Sequence, residues 1–102
     1  MPQEILSVAI YEPLPEMEAA SLATIRELIA ILAAKGYSRD CLYHSGPSEY
    51  VLLRYWKSEE ARRAAQEDPE IHRYWAKLGN EIRIVKIYET LENVPLESRN
   101  TV

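Results

Sequence analysis

Few side chains here have the right type for catalysis, and their surroundings narrow the field further. His72 lies in "DPEIHRYW", Asp68–Trp75. An imidazole titrates near neutral pH and can act as a general base; the alternative is a half-exposed residue near the start of a helix. His44 ends a strand beside a turn, where an exposed hairpin histidine is the simpler reading. Arg54 stands in the middle of the apolar run "EYVLLRYW". A charge buried in such a run needs a counter-charge or an anionic ligand. Arg54 therefore suggests a clamp for a phenolate or carboxylate, or else half of a salt bridge. Lys86 interrupts the last strand in the same way.

Other residues could shape a pocket. Ser7 and Ala9 are small and point to one side of the first strand, leaving either a cavity beneath the helices or room for a bulky helix residue. Tyr11, Tyr43, Tyr55 and Tyr88 fall at strand positions. Buried tyrosines need hydrogen-bond partners, so they suit an aromatic pocket with polar tips or the seam of a dimer. Trp56 and Trp75 suit core packing or a pocket wall. Cys41 has no base beside it, the two histidines are far apart, and there is no Gly-rich phosphate loop, so no nucleophile or metal pattern is recognisable. Glu59-Glu60 and Glu67-Asp68 are placed as helix-start charges.

These residues must be positioned by regular elements. "EILSVAIYE", Glu4–Glu12, predicts a strand ended by "PLP". A helix follows, with Pro15 expected in its first turn, an apolar stripe of Leu22, Ile25, Ile29 and Leu32, and a stop at Gly36. "YSRDCLYHS" (Tyr37–Ser45) and "EYVLLRYW" (Glu49–Trp56) predict two strands joined by the turn "GPS". Ser58 can cap the next helix, and Asp68-Pro69 restarts it with Asp as the cap and Pro in the first turn. "EIRIVKIYETL", Glu81–Leu91, predicts the last strand. The order β-α-β-β-α-β predicts an α+β, ferredoxin-like domain over residues 1–92: a four-stranded antiparallel sheet with helices on one face. A tail, 93–102, follows; an arm exchanged across a dimer or a frayed end would both suit it.

The strands are apolar on both faces. Leu6, Val8 and Ile10 alternate with Ile5, Ala9 and Tyr11, and Val51, Leu53 and Tyr55 with Leu52 and Trp56. Helices can cover one face only, so the other needs a second cover. A homodimer with its sheets face to face supplies one. A length of 102 residues fits one domain, with 47% hydrophobic and 27% charged residues. The net charge of -4 argues against a nucleic-acid partner. The longest apolar run, Ala19–Ala34, is interrupted by Arg26 and Glu27, so no membrane span is expected. With no signal-peptide pattern and a lone cysteine, a cytoplasmic location is expected.

"YVLLRYWKSEEARRAAQEDPEIHRYWAKL", Tyr50–Leu78, resembles the signature of the antibiotic-biosynthesis-monooxygenase-like family. The matching residues are Trp56, Ser58, Glu60-Ala61, Asp68-Pro69, His72 and Trp75. The resemblance implies a dimeric α+β barrel and a cofactor-independent monooxygenase that oxidises small phenolic or polyketide-like aromatics with O2. Joined to the residues weighed above, this reading makes His72 and Arg54 catalytic and has Ser7, Tyr11, Trp56, Trp75 and Tyr88 meet the substrate, with no metal or cofactor. The alternatives are a non-catalytic dimer that binds a small molecule, and a haem-binding or haem-degrading protein. Haem-degrading relatives use an Asn on the first strand, which this chain lacks, and an axial His that falls here on Tyr74 or Trp75. His72 is a near neighbour, but a shift of two residues on a helix turns the side chain by about 200°.

Overall fold

The computed structural model describes residues 5–96. The elements are β1 (Ile5–Pro13), α1 (Glu18–Ala34), β2 (Ser38–Ser45), β3 (Glu49–Trp56), α2 (Glu59–Gln66), α3 (Pro69–Gly79) and β4 (Ile82–Leu91). The strands form one antiparallel sheet in the order β2-β3-β1-β4. This is the expected ferredoxin-like α+β arrangement, with an open sheet and a second crossover made of two helices. Glu4, expected to begin the first strand, lies outside the described residues, as do 97–102 of the tail; residues 93–96 have no regular structure.

Local chemistry explains most boundaries. The Ser58 hydroxyl accepts from the Ala61 amide at 3.0 Å and opens α2. Asp68 accepts from the Glu70 amide at 2.9 Å, and Pro69 follows in the first turn of α3, as residue types predict. The Asp68 carboxylate also receives Lys35 Nζ at 2.7 Å and the Tyr37 hydroxyl at 2.8 Å. One side chain thus starts α3 and ties it to the end of α1. The first helix begins later than its sequence suggests. Pro15 lies in a turn closed by the Met17 amide on the Leu14 carbonyl at 2.9 Å, and Glu16 has φ 66°. Pro followed by a positive φ is the pattern of a type II turn, and a left-handed residue cannot belong to a right-handed helix. Helical geometry resumes only at Glu18.

The two faces of the sheet divide as the alternation predicts. Tyr11, Tyr50, Leu52 and Trp56 are buried beneath the helices with Ile25, Leu28 and Leu32 of α1 and Ile71 and Leu78 of α3. Leu6, Val8, Ile10, Val51 and Leu53 point the other way and are half-buried. The helices leave β4 largely uncovered: Ile84, Val85, Ile87 and Tyr88 are between 42% and 49% exposed. Two register shifts interrupt its pairing with β1, one between Leu6 and Val8 and one between Ile10 and Tyr11.

Candidate active site

Between the sheet and the helices lies a cavity of about 560 Å³, within the range of sites for drug-sized ligands. Its floor is the helix-facing row of the two central strands: Ser7, Ala9 and Tyr11 from β1, and Leu52, Arg54 and Trp56 from β3. Ile25 and Leu28 of α1 and Trp75 and Leu78 of α3 form the roof. Arg62 and Gln66 of α2, with Glu89 and the isoleucines of β4, close one flank. The small side chains of Ser7 and Ala9 hold the space open where a Leu or Ile would fill it.

Cross-strand register sets the polar groups along this floor. Ser7 pairs with Arg54, Ala9 with Leu52 and Tyr11 with Tyr50. At the Ser7 end, the Trp56 indole N–H donates to the Ser7 hydroxyl at 2.8 Å, and that hydroxyl donates to the Glu89 carbonyl. Arg54 Nε donates to Asp40 Oδ2 at 2.7 Å, and the Ser38 hydroxyl donates to Asp40 Oδ1 at 2.8 Å. The Asp40 side chain is fully buried and that of Arg54 is 12% exposed. The guanidinium also lies 5.5 Å from the centre of the Trp56 ring.

At the other end, Tyr11 stacks on Tyr50 with ring centroids 5.4 Å apart. Tyr50 donates to the Glu18 carboxylate and stacks on His44 at 4.5 Å. Burial, reinforced by the neighbouring Tyr50, pushes the Tyr11 phenol up to about 12. It remains protonated at neutral pH, a hydrogen-bond donor.

Among the described residues, three buried side-chain atoms have no hydrogen-bond partner: Tyr11 Oη, Arg54 Nη2 and Glu81 Oε1. Tyr11 and Arg54 both line the cavity, whereas Glu81 does not. Buried donors without partners are costly, and two of the three belong to residues that line this chamber.

Six of the seven residues singled out from the sequence border this cavity: Ser7, Tyr11, Arg54, Trp56, Trp75 and Tyr88. Tyr88 is in register with Val8, not with the Ala9 row. The structure does not bring His72 to the cavity. Its ring is exposed, stacks on Trp75 at 5.6 Å, and meets the Gln66 carbonyl through Nε2. The salt bridge that was the alternative for Arg54 is present, to Asp40, and the guanidinium retains an unpaired nitrogen as well. Composition alone does not mark Asp40, although the hairpin does: a turn placing Ser45 opposite Glu49 also places Asp40 opposite Arg54. Lys86 is exposed on β4, its ammonium 5.4 Å from the Tyr88 ring. Among the described residues, no group of three or more His, Cys, Asp or Glu side chains could hold a metal ion. Among them, no helix is long and apolar enough to cross a membrane.

No family model matches the sequence, and no curated protein does. Solved structures do match. The chain is similar to SnoaB, a cofactor-independent oxygenase from Streptomyces nogalater, with a TM-score of 0.73 at 17% identity over 92% of this chain and 99% of that one. It is similar to Rv0793 from Mycobacterium tuberculosis, with a TM-score of 0.70 at 20% identity over 90% and 99% of the two chains. A candidate antibiotic biosynthesis monooxygenase from Chloroflexus aurantiacus matches with a TM-score of 0.67 at 18% identity, over 91% and 93%.

Proposed function

We propose that this chain, which has the fold of the antibiotic-biosynthesis-monooxygenase-like proteins, is a cofactor-independent monooxygenase acting with O2 on a small phenolic or polyketide-like aromatic. The observation that carries this reading is the cavity: apolar walls, with Arg54 Nη2 and Tyr11 Oη both buried and unpartnered. The cofactor-independent oxygenase SnoaB, which shares the fold, supports it.

In this reading an aromatic ring lies over Ala9 and Leu52, and donors at either end hold its oxygen atoms. Loss of the phenolic proton raises electron density on the ring carbon para to the oxygen, and that carbon bonds one atom of O2. The carbon's own hydrogen and the phenolic proton then leave with the second oxygen atom as water. A phenol with a free para position thus becomes a quinone, with atoms and electrons balanced and no outside reductant. Fixed donors aimed at the oxygen that carries the charge lower the barrier because they need no reorganisation. His72 lies outside the lining, so this reading assigns it no part in taking the substrate's proton.

The same reading includes a homodimer formed through the face opposite the helices. Leu6, Val8, Ile10, Val51 and Leu53 line that face, and Tyr43, 57% exposed, extends it. A non-catalytic dimer that binds the same ligand is the second reading, favoured by the same cavity. Oxygen-electrode measurements with a series of phenols and 1-naphthols that have a free para position separate the two. An oxygenase consumes one O2 per quinone formed, at a rate proportional to protein. Saturable binding with no O2 uptake refutes the enzyme and leaves the carrier.

A further inference from the structure

We infer that Arg54 and Asp40 together form a buried receptor for the ionised oxygen of an acidic phenol or enol, with Asp40 as a positioning residue that sets the receptor's strength. The inference deepens the oxygenase reading and supplies what it lacks. With His72 outside the cavity, the phenol needs some other means of losing its proton.

The geometry allots the guanidinium's edges. Nε is engaged by Asp40 Oδ2 at 2.7 Å, and the other carboxylate oxygen is fixed by the Ser38 hydroxyl at 2.8 Å. Two side chains of β2 thus lock one edge of the fork and leave Nη2 buried and unpaired in a residue that lines the cavity. An arginine without Asp40 would be a bare charge in an apolar chamber. With Asp40 the pair is neutral overall, so the empty site is sustainable. The other charged groups bordering the chamber are Arg62 from α2 and Glu89 from β4. Arg62 is itself paired with Glu59 at 2.6 Å.

A neutral pair with one free donor selects among oxygen ligands. It adds a charge-assisted hydrogen bond to any bound oxyanion. Yet it provides no net positive charge to offset the desolvation of a hard, localised carboxylate. A phenolate or enolate spreads its charge over the ring and loses less hydration on entering an apolar cavity. The ionised form of a phenol is therefore bound in preference to the neutral form. The proton goes to solvent on binding, with no base on the protein required. Tyr11 lies further along the strand, its Cα about 13 Å from that of Ser7 by register, so it meets a second oxygen only in an elongated, fused-ring ligand.

The test uses 4-nitrophenol, whose anion is coloured, against its methyl ether, 4-nitroanisole, which cannot ionise. The native protein is expected to hold the phenolate about 10- to 100-fold more tightly than the ether, and to lower the pKa of the bound phenol by about 1 to 2. The double substitution Asp40→Asn/Arg54→Gln keeps a neutral hydrogen-bonded pair of similar shape and is expected to abolish the preference while leaving ether binding intact. Asp40→Asn alone frees the guanidinium from its counter-charge and is expected to increase the preference for phenolate. A structural role for Asp40 would instead weaken both ligands alike. Equal affinity for the two ligands in the native protein overturns the receptor. So does a phenolate preference that survives the double substitution, or a loss of both ligands in Asp40→Asn. None of these readouts needs turnover. Phenolate preference without O2 uptake leaves the receptor standing and removes the oxygenase; O2 uptake untouched by the double substitution does the reverse.

Discussion

Replacing Ala9 by Leu tests whether the space between sheet and helices is a true void. Ala9 lies on its floor, level with Leu52 on β3 and Ile87 on β4. Leucine adds three carbons, each contributing about 0.8 kcal/mol when it leaves water, or about 2.4 kcal/mol together. Fixing the longer side chain costs about 0.5–1 kcal/mol, leaving a net gain of about 1.5 kcal/mol. For a domain of this size each kcal/mol raises Tm by about 4–8 °C, so a rise of about 6–12 °C is expected. Were the interior already filled, the same change would overpack it and cost about 1–3 kcal/mol. The sign of the effect therefore decides the question. Thermal unfolding followed by circular dichroism, at one protein concentration for both proteins, gives the first readout. A 4-nitrophenol titration gives the second, and binding should fall as the floor fills. A lower Tm together with unchanged binding would refute the cavity as the ligand site.

Three further outcomes are expected. His72→Ala should leave O2 consumption within about twofold of the native rate, as for an exposed side chain outside the lining; a loss of tenfold or more would return the imidazole to the mechanism. Leu53→Lys puts a charge in the middle of the face opposite the helices, where Leu53 pairs with Val8. It should weaken dimerisation by more than ~100-fold, measured by sedimentation equilibrium; an unchanged dimer would place the interface elsewhere. Asp68 is held down to about 2, first by the hydrogen bond from Lys35 and next by that from Tyr37. Its folded-state value is below that of the free side chain. The stability it adds is therefore present above about pH 4 and is lost as pH falls toward 2. Urea unfolding at pH 7 and pH 2.5 should show native and Asp68→Asn proteins differing more at the higher pH. Equal differences at both would show that the carboxylate's charge contributes nothing.

The parts of the fold that depend on local periodicity were legible in the sequence. Alternation along "ILSVAIY" and "YVLLRYW" assigned each side chain to a face, and Ser58 and Asp68-Pro69 marked helix starts that their hydrogen bonds now explain. What escaped depends on non-local geometry. The roll of α3 over the sheet determines that Trp75 lines the chamber while His72, stacked on its outer side, does not; both are equally plausible from spacing alone. The register shifts in β4 arise from pairing with β1 and leave no local mark in "RIVKIYETL". The late start of α1 follows from a left-handed Glu16, a conformation that its residue type does not announce. Toward the candidate site, the small residues of β1 and the misplaced charge of Arg54 were legible, and all of them line the cavity. Its partner needed hairpin register as well as composition.

Neighbours in the sheet, β1 and β4 come from opposite ends of the described chain. Leu6 pairs with Leu91, and β1 lies between β3 and the last strand. Pairings this distant in sequence are entropically slow to form. While a ribosome is still making β4, β1 presents a bare row of amide and carbonyl groups beside an incomplete chamber. Such an edge templates pairing with other chains. Covering of the central strand β1 and closing of the β4 flank of the chamber therefore come in a single late event, the docking of β4.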